Sequence, residues 1–219
     1  MTAPEIVFFD WDNTLCDTFP AIHDAYNHVL RTYGMEEWSE ATAKARIRKS
    51  GREAFPALFG DEWEKALGVY RGYYEDVHPT SPLFDGVQDL VAGLKSIGSR
   101  VGVISNKMPK LIKLNAEGAG VYDLFDVYVG AGEAAHDKPD PVMMQYALDK
   151  LGVNPAFENI WYVGDTDIDM RFAANCKTKA VFVENTGYDA LEEMVETYAP
   201  HRAYKSIRAF SDDINALKD

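Results

Sequence analysis

The sequence predicts an α/β protein: a parallel sheet covered by helices on both faces, with an all-helical segment inserted after the first strand. Three observations predict it. Ile6–Phe9 is an unbroken apolar run that ends at Asp10, the pattern of a strand buried on both faces. From Phe84 onward short apolar runs alternate with amphipathic stretches, and strand–helix alternation means a parallel sheet with helical layers. Between Asp10 and the second apolar run the pattern is purely helical. That stretch adds roughly 65 residues, from about 17 to 80, to a crossover unit that needs only ~30.

Taken in order, Ile22, Tyr26, Val29, Leu30 and Tyr33 share one face of a helix that Gly34 stops. A second helix covers residues 39–50, with Ser39 as its N-cap and Gly51 beyond its end. A short helix carries Phe55, Leu58 and Phe59, and closes at Gly60. Trp63, Leu67, Tyr70, Tyr74 and Val77 trace a further stripe, expected to pack helix on helix, and residues 78–82 read as a linker. Strands then follow at 100–105, 125–129, 160–163 and 180–183. Helices fall at 87–94, 109–117, 141–151 and 168–176, with weaker helical signals near Leu191 and over 206–217. The expected division is a core of residues 1–15 and 81–219 and a helical cap of residues 16–80. An insertion leaving the sheet directly after Asp10 would lie over the carboxyl edge as a lid.

Composition narrows the function. The 219 residues carry a formal net charge of −13, which argues against nucleic acid or an anionic membrane as partner. An acidic chain that binds an anion needs local cations, so a metal is expected. Cys16 and Cys176 make no disulfide framework, and no Cys/His cluster has zinc spacing. With no apolar run of signal-peptide or membrane length, a cytoplasmic protein is expected, as a monomer or homodimer.

Candidate chemistry gathers at predicted strand ends. Asp10 and Asp12 stand two apart after the first strand, so one carboxylate can attack while the other moves a proton. Ser105-Asn106 ends the second strand, Lys138-Pro139 precedes a helix, and Asp165 and Asp169 follow the strand at 160–163. Taken singly, each has a plainer reading: an Asx turn, a helix cap or a solvated lysine. Together, convergent carboxylates with one lysine suit Mg²⁺ and a phosphate.

The motifs Asp10-x-Asp12-x-Thr14, Ser105-Asn106-Lys107, Lys138-Pro139 and Gly164-Asp165-x-x-x-Asp169 resemble those of the haloacid dehalogenase superfamily. The likeness is to its phosphatases of the phosphoglycolate-phosphatase type. It implies a Rossmann-like parallel-sheet core with an all-α helical cap, and a Mg²⁺-dependent phosphatase acting on a small-molecule phosphate ester, phosphoglycolate foremost. It further implies Asp10 as nucleophile forming an aspartyl-phosphate, Asp12 as proton donor and then base, and Lys138 and Ser105 on phosphoryl oxygens, with Thr14 and Asn106 also phosphate-binding. The metal would be held by Asp10, Asp165 and the Asp12 backbone carbonyl, with Asp169 behind it or orienting Lys138. Dehalogenases of the superfamily lack an acid at the position of Asp12.

Trp11 and Asn13 depart from the usual pattern, in which a smaller apolar residue and Gly are common, and Cys176 stands where Gly commonly ends a helix. Arg46, Arg48, Lys49 and Arg52 cluster at a break between cap helices, where Arg52 and Lys49 could receive a second anionic group of the substrate, against the plainer reading of a solvated basic face. His23 and Asn27 are weaker cap candidates. Two alternatives stay open: a sugar-phosphate mutase or phosphotransferase, and a non-catalytic binding module. Phosphonate cleavage would need a cap lysine such as Lys44, Lys49 or Lys65.

Overall fold

The computed structural model describes residues 3–47, 51–78, 80–186 and 190–216. Its strands are β1 (Ile6–Phe9), β2 (Arg100–Ile104), β3 (Val127–Val129), β4 (Ile160–Gly164), β5 (Lys179–Val183) and β6 (Arg202–Tyr204). They form one sheet in the order β3-β2-β1-β4-β5-β6, and every pairing is parallel. The α/β fold predicted from sequence is therefore the one observed.

Among the described residues four α-helices follow β1: α1 (Phe19–Thr32), α2 (Glu40–Arg46), α3 (Gly51–Phe59) and α4 (Trp63–Val77). The remainder cover the sheet: α5 (Val87–Ser96), α6 (Pro109–Gly118), α7 (Val142–Leu151), α8 (Asp167–Cys176), α9 (Leu191–Tyr198) and α10 (Ile207–Asn215).

Strand side chains alternate between faces, and both faces of β1 are apolar. Val7 and Phe9 pack with Val87, Leu90, Phe210 and Ile214 of α5 and α10. Ile6 and Phe8 pack with Met143, Leu148 and Phe172 of α7 and α8. Burying a Phe of this kind contributes roughly 1.5–3 kcal/mol. The register places Phe9 opposite Val103 on one side and Val163 on the other. The residues just past those positions therefore emerge along one carboxyl edge of the sheet.

The helices after β1 enclose a cluster of their own, around Tyr26, Val29, Leu30, Phe55 and Leu67. Tyr26 is its hub, with ring centroids of Trp38, Phe55 and Tyr70 at 5.4, 5.4 and 5.3 Å. A second, smaller cluster joins Ala21, Ala25 and Tyr74 to Leu111 of α6. Among the described residues no helix is long and apolar enough to cross a membrane.

Several bounds differ from expectation for local reasons. Helix α2 ends at Arg46, and residues 48–50, including Arg48 and Lys49, lie outside the described residues. Strand β3 begins at Val127, two residues late, because a 3-10 turn over Tyr122–Leu124 intervenes. Strand β6 has no counterpart in the sequence pattern. It has three half-buried residues on the sheet edge, too few to show a period.

Candidate active site

Asp10 follows β1, and its backbone N–H donates to Val163 O at 2.9 Å, so the ladder continues to the residue itself. Ser105 follows β2 and Asp165 follows β4. Lys138 arrives from the β3–α7 loop through a cis Lys138-Pro139 bond. Asn106 fixes that loop: its Nδ2 donates to Lys138 O at 3.0 Å and its Oδ1 accepts from Lys138 N at 2.8 Å.

The Lys138 side chain is 2% exposed and stands between two carboxylates. Its Nζ lies 2.9 Å from Asp10 Oδ1 and 2.7 Å from Asp169 Oδ1, and it donates to Tyr162 OH at 2.8 Å. Tyr162 OH in turn donates to Ile104 O at 2.8 Å. Burial works against the ammonium, but Asp10 and Asp169 outweigh it and hold Lys138 above the ordinary lysine range.

Asp169 closes the cluster from behind. While Oδ1 faces Lys138, Oδ2 accepts from Asp165 N (3.2 Å), Thr166 N (3.1 Å) and Thr166 Oγ1 (2.7 Å). It thereby forms a capping box at the start of α8. Gly164 makes this possible. A Cβ there would stand 2.3 Å from both Cβ and Cγ of Asp169, so only glycine lets the carboxylate fold back onto the strand end.

Carboxylate oxygens of Asp10, Asp165 and Asp169 come within 4.8 Å of one another, all three residues buried. Asp165 Oδ2 is buried without a hydrogen-bond partner, and Asp10 Oδ1 has only its ion pair with Lys138. Burial first, then Asp169 and Asp12, push Asp10 up to about 6 against the pull of Lys138. Burial, Asp169 and Asp10 hold Asp165 well above the usual carboxylate range. Buried like charges with unsatisfied oxygens are what a hard divalent cation relieves. The residues present therefore fit such an ion, with Asp10 and Asp165 as its side-chain ligands. Asp169 has both oxygens engaged and sits behind them.

Asp12 stands apart from this cluster. Its Oδ1 accepts from Lys107 Nζ at 2.7 Å, and its side chain is 21% exposed. Lys107 Nζ also donates to Tyr74 OH of α4 at 2.9 Å. Burial opposes this ammonium too, but Asp12 and Tyr74 outweigh it and raise Lys107 above the ordinary range.

A cavity of about 190 Å³ connects these groups, smaller than the ~300–1,000 Å³ clefts that take drug-sized ligands. Asp10, Asp12, Ser105 and Lys138 line its sheet side, and Ile22, Tyr70, Arg52 and Arg71 line its helical side. Arg52 reaches over the β3–α7 loop, where a Cβ on Gly132 would meet its Nη2 at 2.5 Å. Burial and the neighbouring Arg52 lower the proton affinity of Arg71.

Other residues singled out in the sequence are placed differently. Thr14 is fully buried, and its hydroxyl donates to Asp165 Oδ1 at 2.8 Å. It therefore positions a carboxylate rather than opening onto the cavity. Asn106 lines the cavity, yet both ends of its amide are used on Lys138. Asn13 takes φ +60, the left-handed region where Asn substitutes for Gly. Trp11 is fully buried against Phe125 and Tyr128. Cys16 and Cys176 are buried, and burial raises both thiols, Cys176 to about 12.

On the helical side, Asn27 pairs with both backbone groups of Trp38, and His23 Nε2 lies 2.7 Å from Trp38 O. Both residues hold a loop. Arg46 stacks over Trp38 and is not in the cavity lining. Lys44 pairs with Glu40 and Lys65 stands near Glu62, also away from the lining.

Lys107, Arg71, Tyr162, Thr166 and Asn185 take part without being singled out by the sequence. Asn185 Nδ2 donates to Asn13 O (3.1 Å) and Thr14 O (2.9 Å), and its Oδ1 accepts from Ile207 N. It clamps the turn after β1 from the far end of the chain.

A family model described as haloacid dehalogenase-like hydrolase matches residues 7–183. A relative named pyrophosphatase PpaX, from Bacillus cereus, is 29% identical over 181 residues, covering 82% of this chain and 83% of its own. The crystal structure of a haloacid dehalogenase-like hydrolase from Bacteroides fragilis superposes with a TM-score of 0.85 at 26% identity, over 94% of this chain and 99% of the other. A haloacid dehalogenase-like family protein from Streptococcus pneumoniae shares the fold over 100% of both chains, with a TM-score of 0.85 at 22% identity. The chain belongs to the haloacid dehalogenase-like hydrolase family.

Proposed function

We propose that the protein is a Mg²⁺-dependent phosphatase of a small phosphorylated metabolite, acting through an aspartyl-phosphate on Asp10, with residues 16–80 as a lid over a core of residues 1–15 and 81–219. One observation carries the reading. Buried Asp10, Lys138 and Asp165 converge at the carboxyl edge of the sheet while Asp12 stands on the wall of the same cavity.

In the first half-reaction an Asp10 oxygen forms a bond to phosphorus as the bond to the leaving oxygen breaks. Asp12 gives that oxygen its proton. In the second half-reaction Asp12 takes a proton from water, and the water oxygen attacks phosphorus and frees phosphate and Asp10. Lys138 and Ser105 hold phosphoryl oxygens. Asp169 keeps the Lys138 ammonium in place, and Thr14 and Asn106 steady Asp165 and Lys138. Asp10, Asp165 and the Asp12 backbone carbonyl would hold the metal, which would supply positive charge to offset repulsion between nucleophile and phosphate.

Two lid guanidiniums over so small a cavity suit a substrate with a second anionic group near its phosphate. Arg52 and Arg71 would receive that group. Phosphoglycolate, with its carboxylate, is the first reading. Inorganic pyrophosphate is the second, favoured by the relatives named pyrophosphatase at 27–29% identity. Lys49 was also a candidate for this contact.

Phosphate release from phosphoglycolate, pyrophosphate, sugar phosphates and nucleotides, with Mg²⁺ and with EDTA, tests the proposal. Metal-dependent release concentrated on one small compound with two anionic groups is expected. No release from any of them with Mg²⁺ present would refute hydrolysis, and an isomerised sugar phosphate in its place would identify a mutase.

A further inference from the structure

We propose that Lys107 is a positioning residue: it fixes the Asp12 carboxylate for proton transfer and ties it, through Tyr74, to the closed helical segment. This rests on the role given to Asp12 above.

Lys107 is pinned at both ends. Its backbone N–H donates to Ser105 Oγ at 3.2 Å, and its carbonyl accepts from Ala131 N at 2.9 Å. The side chain thus starts from a fixed point at the sheet edge. It ends 2.7 Å from Asp12 Oδ1 and 2.9 Å from Tyr74 OH, with Nζ 4.4 Å from the centroid of the Tyr74 ring. Only 5% of the side chain is exposed.

An ion pair this deep is a poor device for stability, since desolvation of the ammonium consumes much of the attraction. What it does supply is direction. With Oδ1 taken by Lys107, Oδ2 is the oxygen left to face the cavity that Asp12 lines. A carboxylate on a turn residue would otherwise turn about its two side-chain torsions. Proton transfer needs the two heavy atoms within about 2.6–3.2 Å, so a swing of that size matters.

The third partner makes the arrangement conditional. Tyr74 is fully buried and lies near the end of α4, three residues before Val77. It shares a small apolar cluster with Ala21 and Ala25 of α1 and Leu111 of the core. One ammonium therefore reads the helical segment and the proton donor together. When Tyr74 is seated, Lys107 has both acceptors and Asp12 is held.

The test uses the full-length protein and compares two substrates that differ in leaving group. An alkyl phosphate must have its leaving oxygen protonated, whereas 4-nitrophenyl phosphate releases a stabilised anion. We would measure kcat/KM, which reports transfer to Asp10, for the wild type, Lys107→Met, Lys107→Arg and Tyr74→Phe. Lys107→Met is expected to lose about 100-fold on the alkyl ester but less than about 3-fold on the aryl ester, the size of effect that misplacing one group produces. Lys107→Arg should recover part of the alkyl activity, and Tyr74→Phe should show the same preference with a smaller loss.

The ratio between esters is internal to each preparation, so a loss of folded protein cancels. Should Lys107→Met not fold, Lys107→Gln gives the same ratio. Equal losses on both esters, or none, would overturn the positioning role while leaving the phosphatase reading intact. An unchanged Tyr74→Phe would overturn the tie to the helical segment. A wild type that releases phosphate from neither ester would overturn the role of Lys107, and inactivity on pyrophosphate as well would refute the phosphatase reading.

Discussion

Replacing Asp10 by asparagine should stabilise the metal-free protein at neutral pH, and the size of the effect follows from where the carboxylate sits. Asp10 is 9% exposed, and Asp165 and Asp169 crowd it. Its pKa rises from the usual 3.8 to about 6, through burial first. An acid whose folded pKa is raised keeps a proton that the unfolded chain has already lost. Stability therefore falls as pH rises from about 4 to about 6, and the deficit persists above. At ~1.4 kcal/mol for each pH unit in that window, the deficit at pH 7.5 is about 3 kcal/mol, of which roughly half has developed by pH 5. Asparagine keeps the shape and never ionises. The gap between Asp10→Asn and wild type should thus widen as pH rises from 5 to 7.5, by on the order of 1 kcal/mol. Urea unfolding of both proteins in EDTA across that range measures it. A gap independent of pH, or a variant less stable at pH 7.5, would refute the reasoning. It would mean that Lys138 more than compensates the desolvation of Asp10.

Three further outcomes follow from the same geometry. Mg²⁺ should raise the melting temperature of the wild type, by the equivalent of about 2.7 kcal/mol at a hundredfold excess over its Kd. Asp165→Asn should lose most of that rise, and a full rise in the variant would remove Asp165 from the metal site. Gly164→Ala places a methyl group 2.3 Å from Asp169 and should cost ~1–3 kcal/mol by overpacking, with a fall in kcat as Lys138 loses its fixed partner. Wild-type unfolding and turnover in Gly164→Ala would contradict this. At Asn13, where φ is +60, Asn13→Gly should be near neutral and Asn13→Val should cost ~1–2 kcal/mol, as urea unfolding would register. Equal stability of the two variants would show that the turn relaxes.

The fold was legible wherever burial writes a period into the chain. Ile6–Phe9 lies between two helical layers and is therefore apolar throughout, and the alternation beyond Phe84 follows from the same cause. Asp10, Asp165 and Asp169 were legible because strand ends place such residues together, and Lys138 because Pro139 marks its place before a helix. Strand β6 was not, since an edge strand of three half-buried residues needs no pattern of its own. Asn185 was invisible for a different reason. Its partners Asn13 and Thr14 are more than 170 residues away, and nothing near Asn185 marks a residue that acts at such a distance. Thr14 and Asn106 were placed in the right neighbourhood and given a direct part in phosphate binding, but their hydrogen bonds go to Asp165 and Lys138. Sequence locates polar groups at an edge without saying which of them face the ligand. Tyr74 was read as packing, and it does pack, though its hydroxyl also receives Lys107.

The spacing of Asp10 and Asp12 acquires its meaning from those partners. Two carboxylates two residues apart on one turn would ordinarily see similar surroundings. Here Asp10 is still held by the sheet, through Asp10 N to Val163 O, and so stays in the buried cluster with Lys138. The turn then carries Asp12 to the cavity wall, where a different lysine on a different loop meets it. Each carboxylate has its own buried cation, fixed by its own backbone contacts: Asn106 for Lys138, Ser105 and Ala131 for Lys107. A divided environment is what would let chemically identical groups take the unlike roles proposed for them, one bonding to phosphorus while the other moves a proton. In a chain of net charge −13, two buried lysines at this edge do more for the site than its overall charge could. Asp10, Asp12, Asp165 and Asp169 still outnumber them, so a phosphate at this edge would also need the divalent ion that Asp10 and Asp165 would hold.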